Sequence, residues 1–485
     1  MSKKGSIGSG LAWSFGERIT AQLVTTVVGI VLARLLDPAH YGEITIVNVL
    51  ITLCNVFVTS GMGSALVQKK EISERDYDTA FLISLLIAAV MYGLLFWAAP
   101  AIAAFYRMPV LKSVIRVMGL RLPLASINTI QQAKVQREMS FKRFFVATLF
   151  GTVLSGIVGI LLAWRGFGVW ALVAQYLTNT TVDTIVLFFV EKWIPRLRFS
   201  GKNAKAIFSF GWKVLATELV YTVEEDIRSL VVGKVFGSAD LAFYDQGQKY
   251  PALLVNNLNA AINKVMLPAY SRSQEDLTQL KAMLRRSISL GVFLLAPLLV
   301  GFGAVSETFI RLILTDKWLP CMPFLQIFCV IYLTRPLETA CHQALLAIGR
   351  SDVVLKIMVA INTVGLAAVL IATFLFHSVL LVAVGALIST VVSLCGFLYY
   401  TGKLLGYRGR EQLADLFPAL GCSLLMGAVV LALGRLPLNG ATLLAVQVVT
   451  GGAVYGVLAK LLRLEAFSYL LGMLRKGTGK NGSES

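Results

Sequence analysis

Charged side chains are scarce in this sequence. Asp, Glu, Lys and Arg make up 14% of the 485 residues, where a soluble domain carries about 25%, and that shortage excludes an ordinary soluble chain. Histidine is nearly absent, with three residues far apart, and the six cysteines (Cys54, Cys321, Cys329, Cys341, Cys395 and Cys422) lie scattered through apolar segments without CxxC spacing. Neither a metal framework nor a disulfide scaffold can be built from that pattern. The cysteines are read as small hydrophobes, and no metal site or cofactor is expected. Long polar connections are also missing. The longest is the basic segment Arg272–Arg286, RSQEDLTQLKAMLRR, expected to be a surface helix.

What is abundant is apolar sequence: 57% of residues are hydrophobic and the mean hydropathy is +0.75. A helix crosses a bilayer with about 20 mostly apolar residues. Fourteen such runs are predicted, at 12–35, 42–66, 79–104, 113–132, 144–164, 169–190, 208–233, 243–265, 288–314, 321–347, 354–376, 379–401, 413–433 and 441–461. The apolar run after MSKKGSIGSG lacks a small-residue cleavage site and is too long for a signal-peptide core, so it reads as a retained span. With the N-terminus inside, roughly 26 basic residues fall in cytoplasmic segments against about 7 outside, as the positive-inside rule requires. Both termini are then cytoplasmic. The net charge of +18 is thereby a matter of topology, helped by anionic lipid at the inner face, and not of nucleic-acid binding. The tail Arg463–Lys476 can lie amphipathically on the membrane surface, and GTGKNGSES after it reads as disordered.

A weak repeat runs through these spans. FGERI leading to LARLLDPAHYG returns as FGWKV leading to VGKVFGSADLAFY, offset by 200 residues at Arg34/Lys234 and 195 at Phe15/Phe210. Six predicted spans separate the copies, an even number, so the halves are parallel. Transporters built this way hold substrate between the halves.

Polar residues follow the helical period on corresponding spans. The second span aligns Thr45, Asn48, Thr52, Asn55 and Thr59; the eighth aligns Asp245, Lys249, Asn256, Asn259 and Asn263. The first stacks Arg18, Gln22, Thr25 and Gly29, and shorter sets occur in the fourth (Arg121, Asn128, Gln132) and tenth (Arg335, Glu338, His342). The seventh contains the acid-rich VEEDIR: Lys213, Thr217, Glu218, Tyr221, Glu224, Glu225 and Arg228 span about 140° of arc at 3.6 residues per turn. Trp212, Ala216, Val220 and Val223 take the other side, and Asp226 falls outside both sets. A single Asn or Thr in a membrane helix commonly bonds a neighbouring helix. A charge at the bilayer centre costs at least about 2.5–3.5 kcal/mol unless it meets water or a partner, so four stripes on repeat-related helices point to a wet cavity. Glu224 with Arg228, and Asp245 with Lys249, are spaced to pair at i,i+4. Arg and Lys suit phosphate, while Asn, Gln and Thr suit hydroxyls; the acids leave room for proton or sodium coupling.

The segments LARLLDPAHYG, SALVQKKEISERD, QREMSFKR, GFGVWALVAQY, WIPRLRFS, VGKVFGSADLAFY, LPAYSRSQED, DKWLPCMPFLQIFCV and LLAIGRSD resemble, in order, the polysaccharide transporter family of the multidrug/oligosaccharidyl-lipid/polysaccharide (MOP) exporter superfamily. These are the Wzx-type flippases, and the likeness is to their colanic and teichuronic acid exporter branch, over residues 10–356. The resemblance implies an all-α polytopic membrane protein with two six-helix lobes, 1–200 and 201–402, two further helices at 403–462 and a tail at 463–485. It implies alternating access that moves an undecaprenyl-diphosphate-linked oligosaccharide across the bacterial inner membrane, among membrane lipids and alongside polymerase or export machinery, with no enzymatic step. Where relatives carry an Asp before the GK/GR turn, this chain has Arg228, which puts ion coupling in question. Two alternatives are a drug/cation antiporter of the same superfamily and a membrane-embedded glycosyltransferase or polymerase. The scarcity of cavity aromatics argues against the first, and the short outer connections argue against the second.

Overall fold

The computed structural model describes residues 20–469 apart from 60, 70–71, 139–140, 192–195, 197 and 273–275. Among these, all regular elements are helical. The chain divides into two compact units, Met1–Ala242 and Phe243–Ser485.

The first unit contains α1 (Thr20–Leu35), α2 (Pro38–Thr59), α3 (Met62–Gln68), α4 (Glu74–Tyr106), α5 (Val110–Met118), α6 (Arg121–Glu138), α7 (Phe141–Trp164), α8 (Val169–Glu191) and α9 (Gly201–Val235). It also takes the first turn of α10 (Ser238–Arg272). Apolar side chains are as comfortable in lipid as in a protein core, so these helices associate through close packing and through polar ties at their ends. Asp76, buried at the start of α4, receives Ser73 N at 2.8 Å and Lys69 Nζ at 2.6 Å. Arg137 at the end of α6 donates to the carbonyls of Leu66 (3.1 Å) and Lys69, which fastens α6 to the frayed end of α3. At the opposite end, Lys234 of α9 stacks on Phe105 of α4 at 4.1 Å and donates to its carbonyl. The buried residues of α9 include four small ones, Gly211, Thr222, Ser229 and Gly233, beside Ile207 and Val232.

The second unit comprises the rest of α10, α11 (Leu277–Ala304), α12 (Ser306–Phe309), short π and 3₁₀ turns to Cys321, α13 (Met322–Tyr332), α14 (Arg335–Ala347), α15 (Ser351–Phe374), α16 (Val379–Leu405), α17 (Gly409–Leu433) and α18 (Gly440–Leu461). Its core runs along α11, whose Leu280, Leu284, Ile288 and Val292 are buried with Leu345, Val353 and Tyr407. Residues 277–286, expected as a separate surface helix, form instead the first third of α11. Asp276 caps its start by accepting from Thr278 N and Gln279 N at 3.0 Å, and the leucine stripe at i,i+4 continues unbroken into the span. Four cysteines are buried as expected, whereas Cys395 is exposed on α16.

Among the described residues helix occurs within each of the fourteen predicted spans. Ten helical segments are both long and apolar enough to cross a membrane. The others are α1, 16 residues of which are described, the broken pair α5–α6, and the 35-residue α9 and α10, which carry too many charges. The helical part of the tail is described only as far as residue 469.

One close approach tests the packing. A Cβ on Gly42 of α2 would lie 1.8 Å from the carbonyl oxygen of Ser238, a backbone atom that cannot move aside, whereas Gly93 of α4 has open space around it. Gly42→Ala should lower stability by about 1–3 kcal/mol, the usual range for overpacking, read as a fall in the unfolding temperature in detergent. Gly93→Ala should leave it unchanged or raise it, because Gly in a helix interior costs roughly 0.5–1 kcal/mol relative to Ala. Equal effects of the two changes would contradict the described contact.

Candidate functional site

Each unit contains a helix interrupted near its middle, and an arginine follows each interruption. In the first unit the break lies between α5 and α6. Gly119 is needed there because a Cβ would come 2.7 Å from the ring of Tyr92, and Pro123 in the first turn of α6 lacks an N–H that would be unpaired in any case. In the second unit α13 ends at Tyr332, and α14 starts with Arg335 and Pro336. From Val110 to Arg121 is about 16 Å, and from Met322 to Arg335 about 20 Å, at 1.5 Å per residue. The second break lies inside Asp316–Ala347, a segment long and apolar enough to cross a membrane. Both breaks are short turns whose backbone stays right-handed, bridged by Leu122 N to Gly119 O at 3.0 Å and by Leu333 N to Val330 O at 3.2 Å.

Arg121 is half-buried and surrounded by neutral partners. Its Nε donates to Thr180 Oγ1 at 3.2 Å, its Nη1 donates to Asn48 Oδ1 at 3.3 Å, and the guanidinium lies 5.1 Å from the centroid of the Tyr176 ring. Among the described residues no carboxylate pairs with it. Two dipoles and one ring therefore orient a full positive charge without cancelling it. Two residues on separate predicted stripes, Asn48 and Arg121, are in this way brought into direct contact. Asn128, buried about two turns below, accepts from Gln132.

Tyr176 and Thr180 come from α8, which carried no stripe in the sequence reading. The signal was present: Gln175, Tyr176, Asn179, Thr180 and Asp183 recur at helical spacing in QYLTNTTVDT. Asp183 lies midway along α8, with its carboxylate packed against Gly151 of α7.

The rest of the second-span stripe points the same way in part. Thr52 is exposed, and Asn55 is half-buried with an Oδ1 that is shut from the surface and accepts nothing from the described protein; such groups are completed by water or ligand. On α1, Gln22 is half-buried and Thr25 exposed, while Arg18 lies outside the described residues. On α9, Glu218 is exposed and Arg228 half-buried. The side chains of Tyr221, Glu224 and Glu225 lie outside the described residues, and with them the expected Glu224–Arg228 pair. Asp226 is half-buried and is not without a partner.

In the second unit Arg335 is exposed, 5.7 Å from the Tyr332 ring and 3.8 Å from Glu338. Glu338 also accepts from Thr334 Oγ1 at 2.9 Å. This arginine, unlike Arg121, has an acidic partner. Lys249 and Asn256 of α10 are exposed, Asp245 is half-buried, and Asn259 has an Oδ1 that accepts nothing from the described protein. Aromatic rings, expected to be scarce around these residues, are present as Tyr176 and Tyr332, but each ring already holds an arginine. Among the described residues there is no group of His, Cys, Asp and Glu suited to a metal ion.

Comparison with known proteins adds the following. The sequence family described as "Polysaccharide biosynthesis protein" matches residues 31–323. The chain is 23% identical over 348 residues to the teichuronic acid biosynthesis protein TuaB of Bacillus subtilis (strain 168), covering 71% of this chain and 72% of that protein. It is 24% identical over 430 residues to the lipopolysaccharide biosynthesis protein WzxC of Escherichia coli (strain K12), covering 88% and 87%. Among solved structures it is similar to the lipid II flippase MurJ in an inward closed conformation, with a TM-score of 0.74, 14% identity and coverage of 93% of this chain and 98% of that one. A MATE-family multidrug resistance transporter of the MOP superfamily in an inward-facing conformation aligns with a TM-score of 0.61, 16% identity and coverage of 81% and 95%. At these identities the solved structures speak for the fold alone.

An unneutralised charge held in a membrane helix should be costly to stability and retained for another reason. Arg121→Met, which keeps the length of the side chain and removes the charge, should leave the unfolding temperature in detergent unchanged or raise it, since replacing buried ionic groups by apolar ones of similar volume is often neutral or stabilising. A loss of more than about 2 kcal/mol would mean that Arg121 serves the fold.

Proposed function

Because this chain belongs to the polysaccharide biosynthesis protein family, transporters of the MOP superfamily and not enzymes, we propose that it flips an undecaprenyl-diphosphate-linked oligosaccharide across the bacterial inner membrane by alternating access. The observation that carries this reading is Arg121: a guanidinium just after a helix break, oriented by Asn48, Thr180 and Tyr176 and with no carboxylate partner among the described residues. A diphosphate supplies the missing negative charge and accepts the remaining N–H groups in fork geometry. Arg18 and Lys249 are the further cations assigned to the diphosphate. Gln22, Thr25, Asn48, Thr52, Asn55, Asn128, Asn256 and Asn259 are assigned to the sugar hydroxyls, for which amides and hydroxyls serve as donors and acceptors. Glu218, Tyr221, Glu225, Arg228, Asp245, Arg335 and Glu338 complete the proposed polar wall, and the lipid tail stays in the bilayer.

The same reading includes fourteen spans in two parallel lobes, 1–200 and 201–402, followed by two helices at 403–462, with both termini cytoplasmic. Polymerase or export machinery is the proposed next recipient of the flipped unit. An antiporter for hydrophobic cations is less well served by these residues, because the faces of Tyr176 and Tyr332 are occupied by the protein's own arginines and are not free to receive a ligand cation.

The test is export of surface polymer in a strain that lacks this transporter, with protein level measured alongside. Arg121→Ala, Arg18→Ala and Lys249→Ala should each reduce export at least about 10-fold, since a charge-assisted hydrogen bond is worth about 1.5–3 kcal/mol, with normal amounts of protein in the membrane. Wild-type export by all three would sink the assignment. Cysteines at positions 48, 52, 256 and 259 should react with a water-soluble thiol reagent faster than cysteines at neighbouring apolar positions; uniform protection would mean that the stripes bond helix to helix.

A further inference from the structure

The second unit has a pocket that includes none of the residues assigned above. It lies between α11, α17 and the turn after α18, with a volume of about 400 Å³, within the roughly 300–1,000 Å³ common for ligand pockets. Its rim carries Arg285, Asp415, Arg463 and Glu465, and its floor includes Phe293 and Leu464. The floor is rigid: the Phe293 ring lies 5.3 Å from that of Tyr455, whose hydroxyl donates to the Phe293 carbonyl at 2.8 Å.

The charges on the rim are unequal in availability. Asp415 is fully engaged, with Oδ1 taking Arg285 Nη2 at 2.6 Å and Oδ2 taking the Tyr407 hydroxyl at 2.7 Å. Arg285 spends one nitrogen on that bond and keeps its other N–H groups. Arg463 has no acidic partner among the described residues. Its backbone is also unusual, with φ of 49° at the residue that ends α18, where Leu464 N reaches back to Ala459 O at 3.1 Å. That closure favours glycine, and here an arginine occupies the strained position at the mouth of a pocket, which is where retained strain points to use. Around the mouth Phe417, Leu461 and Leu462 are large, apolar and exposed, as they would be facing lipid chains. The ends of the helices here carry Lys281, Arg286 and Lys403, the basic side that the positive-inside rule gives to the cytoplasm.

We propose that this pocket holds the phosphate headgroup of an anionic glycerophospholipid from the cytoplasmic leaflet, gripped by Arg463 and Arg285, with its acyl chains lying over Phe417 and Leu461. Basic pockets between membrane helices on that side recognise such headgroups. The exposed apolar rim selects a lipid over a soluble anion, and the pocket acts independently of the transported saccharide.

The experiment is native mass spectrometry of the purified full chain, titrated with phosphatidylglycerol or phosphatidylcholine. Wild type should retain one phosphatidylglycerol at least about 5-fold more tightly than Arg463→Gly, and Arg463→Lys should restore much of the difference, while phosphatidylcholine should not distinguish the three. Arg463→Gly should unfold at the same or a higher temperature, since glycine suits the left-handed backbone, so that lost binding cannot be put down to lost fold. Equal retention by wild type and Arg463→Gly would overturn the proposal. So would displacement of phosphatidylglycerol by undecaprenyl diphosphate, which would give the pocket to the transported lipid. Displacement by millimolar inorganic phosphate would leave a general anion site and overturn it as well.

Discussion

A charge in hydrocarbon has to be hydrated, paired or put to use, and the arrangement of this protein follows from that constraint. At the helix ends, where water is near, charges pair freely: Lys69 with Asp76, Lys281 with Glu411, and Arg311 with both Glu307 and Asp316. Deep in the span the same economy of charge leaves few ionised groups, and their partners differ in kind. Arg335 keeps a carboxylate at 3.8 Å. Arg121 has an amide oxygen, a hydroxyl and an aromatic face. Those neutral partners orient the guanidinium while leaving its charge available, which separates a binding group from a structural ion pair.

The same constraint explains the helix breaks. An unpaired backbone amide is as unwelcome in lipid as a charge, so irregular backbone survives at membrane depth only where protein or a wet cavity receives it. Both breaks, after Gly119 and after Leu333, are followed by a helix start with proline in its first turn, which removes one amide from the problem. The turn after α5 is followed directly by Arg121, which meets Asn48 and Thr180. Close packing supports this arrangement without hydrophobic driving force, through small residues such as Gly42, Gly211 and Gly233.

Set beside the proposed transport of a diphosphate-linked saccharide, the acid-rich segment of α9 is an additional feature. Glu218 is exposed, and Arg228 and Asp226 are half-buried. Family membership makes the chain a transporter.

Fold class was legible without coordinates because hydropathy, helical period and the asymmetry of Lys and Arg are properties of local sequence. The all-helical membrane architecture and the polar stripes along α2 and α10 follow from them. Local sequence could not say which stripes meet. Asn48, Arg121 and Thr180 are separated by 73 and 59 residues, and no periodicity relates one helix to another. Tyr176 and Thr180 looked like ordinary polar residues of α8 until the fold set them beside Arg121, and the rings expected to be missing were already occupied by arginines. Nor could the sequence tell that residues 277–286 continue α11, or that Arg463 closes α18 with a left-handed backbone at a pocket mouth. The sequence by itself determined where charge could be tolerated. Tertiary structure decided which charges were left without a counterion, because that depends on the few ångströms between helices and not on the residues along any one of them.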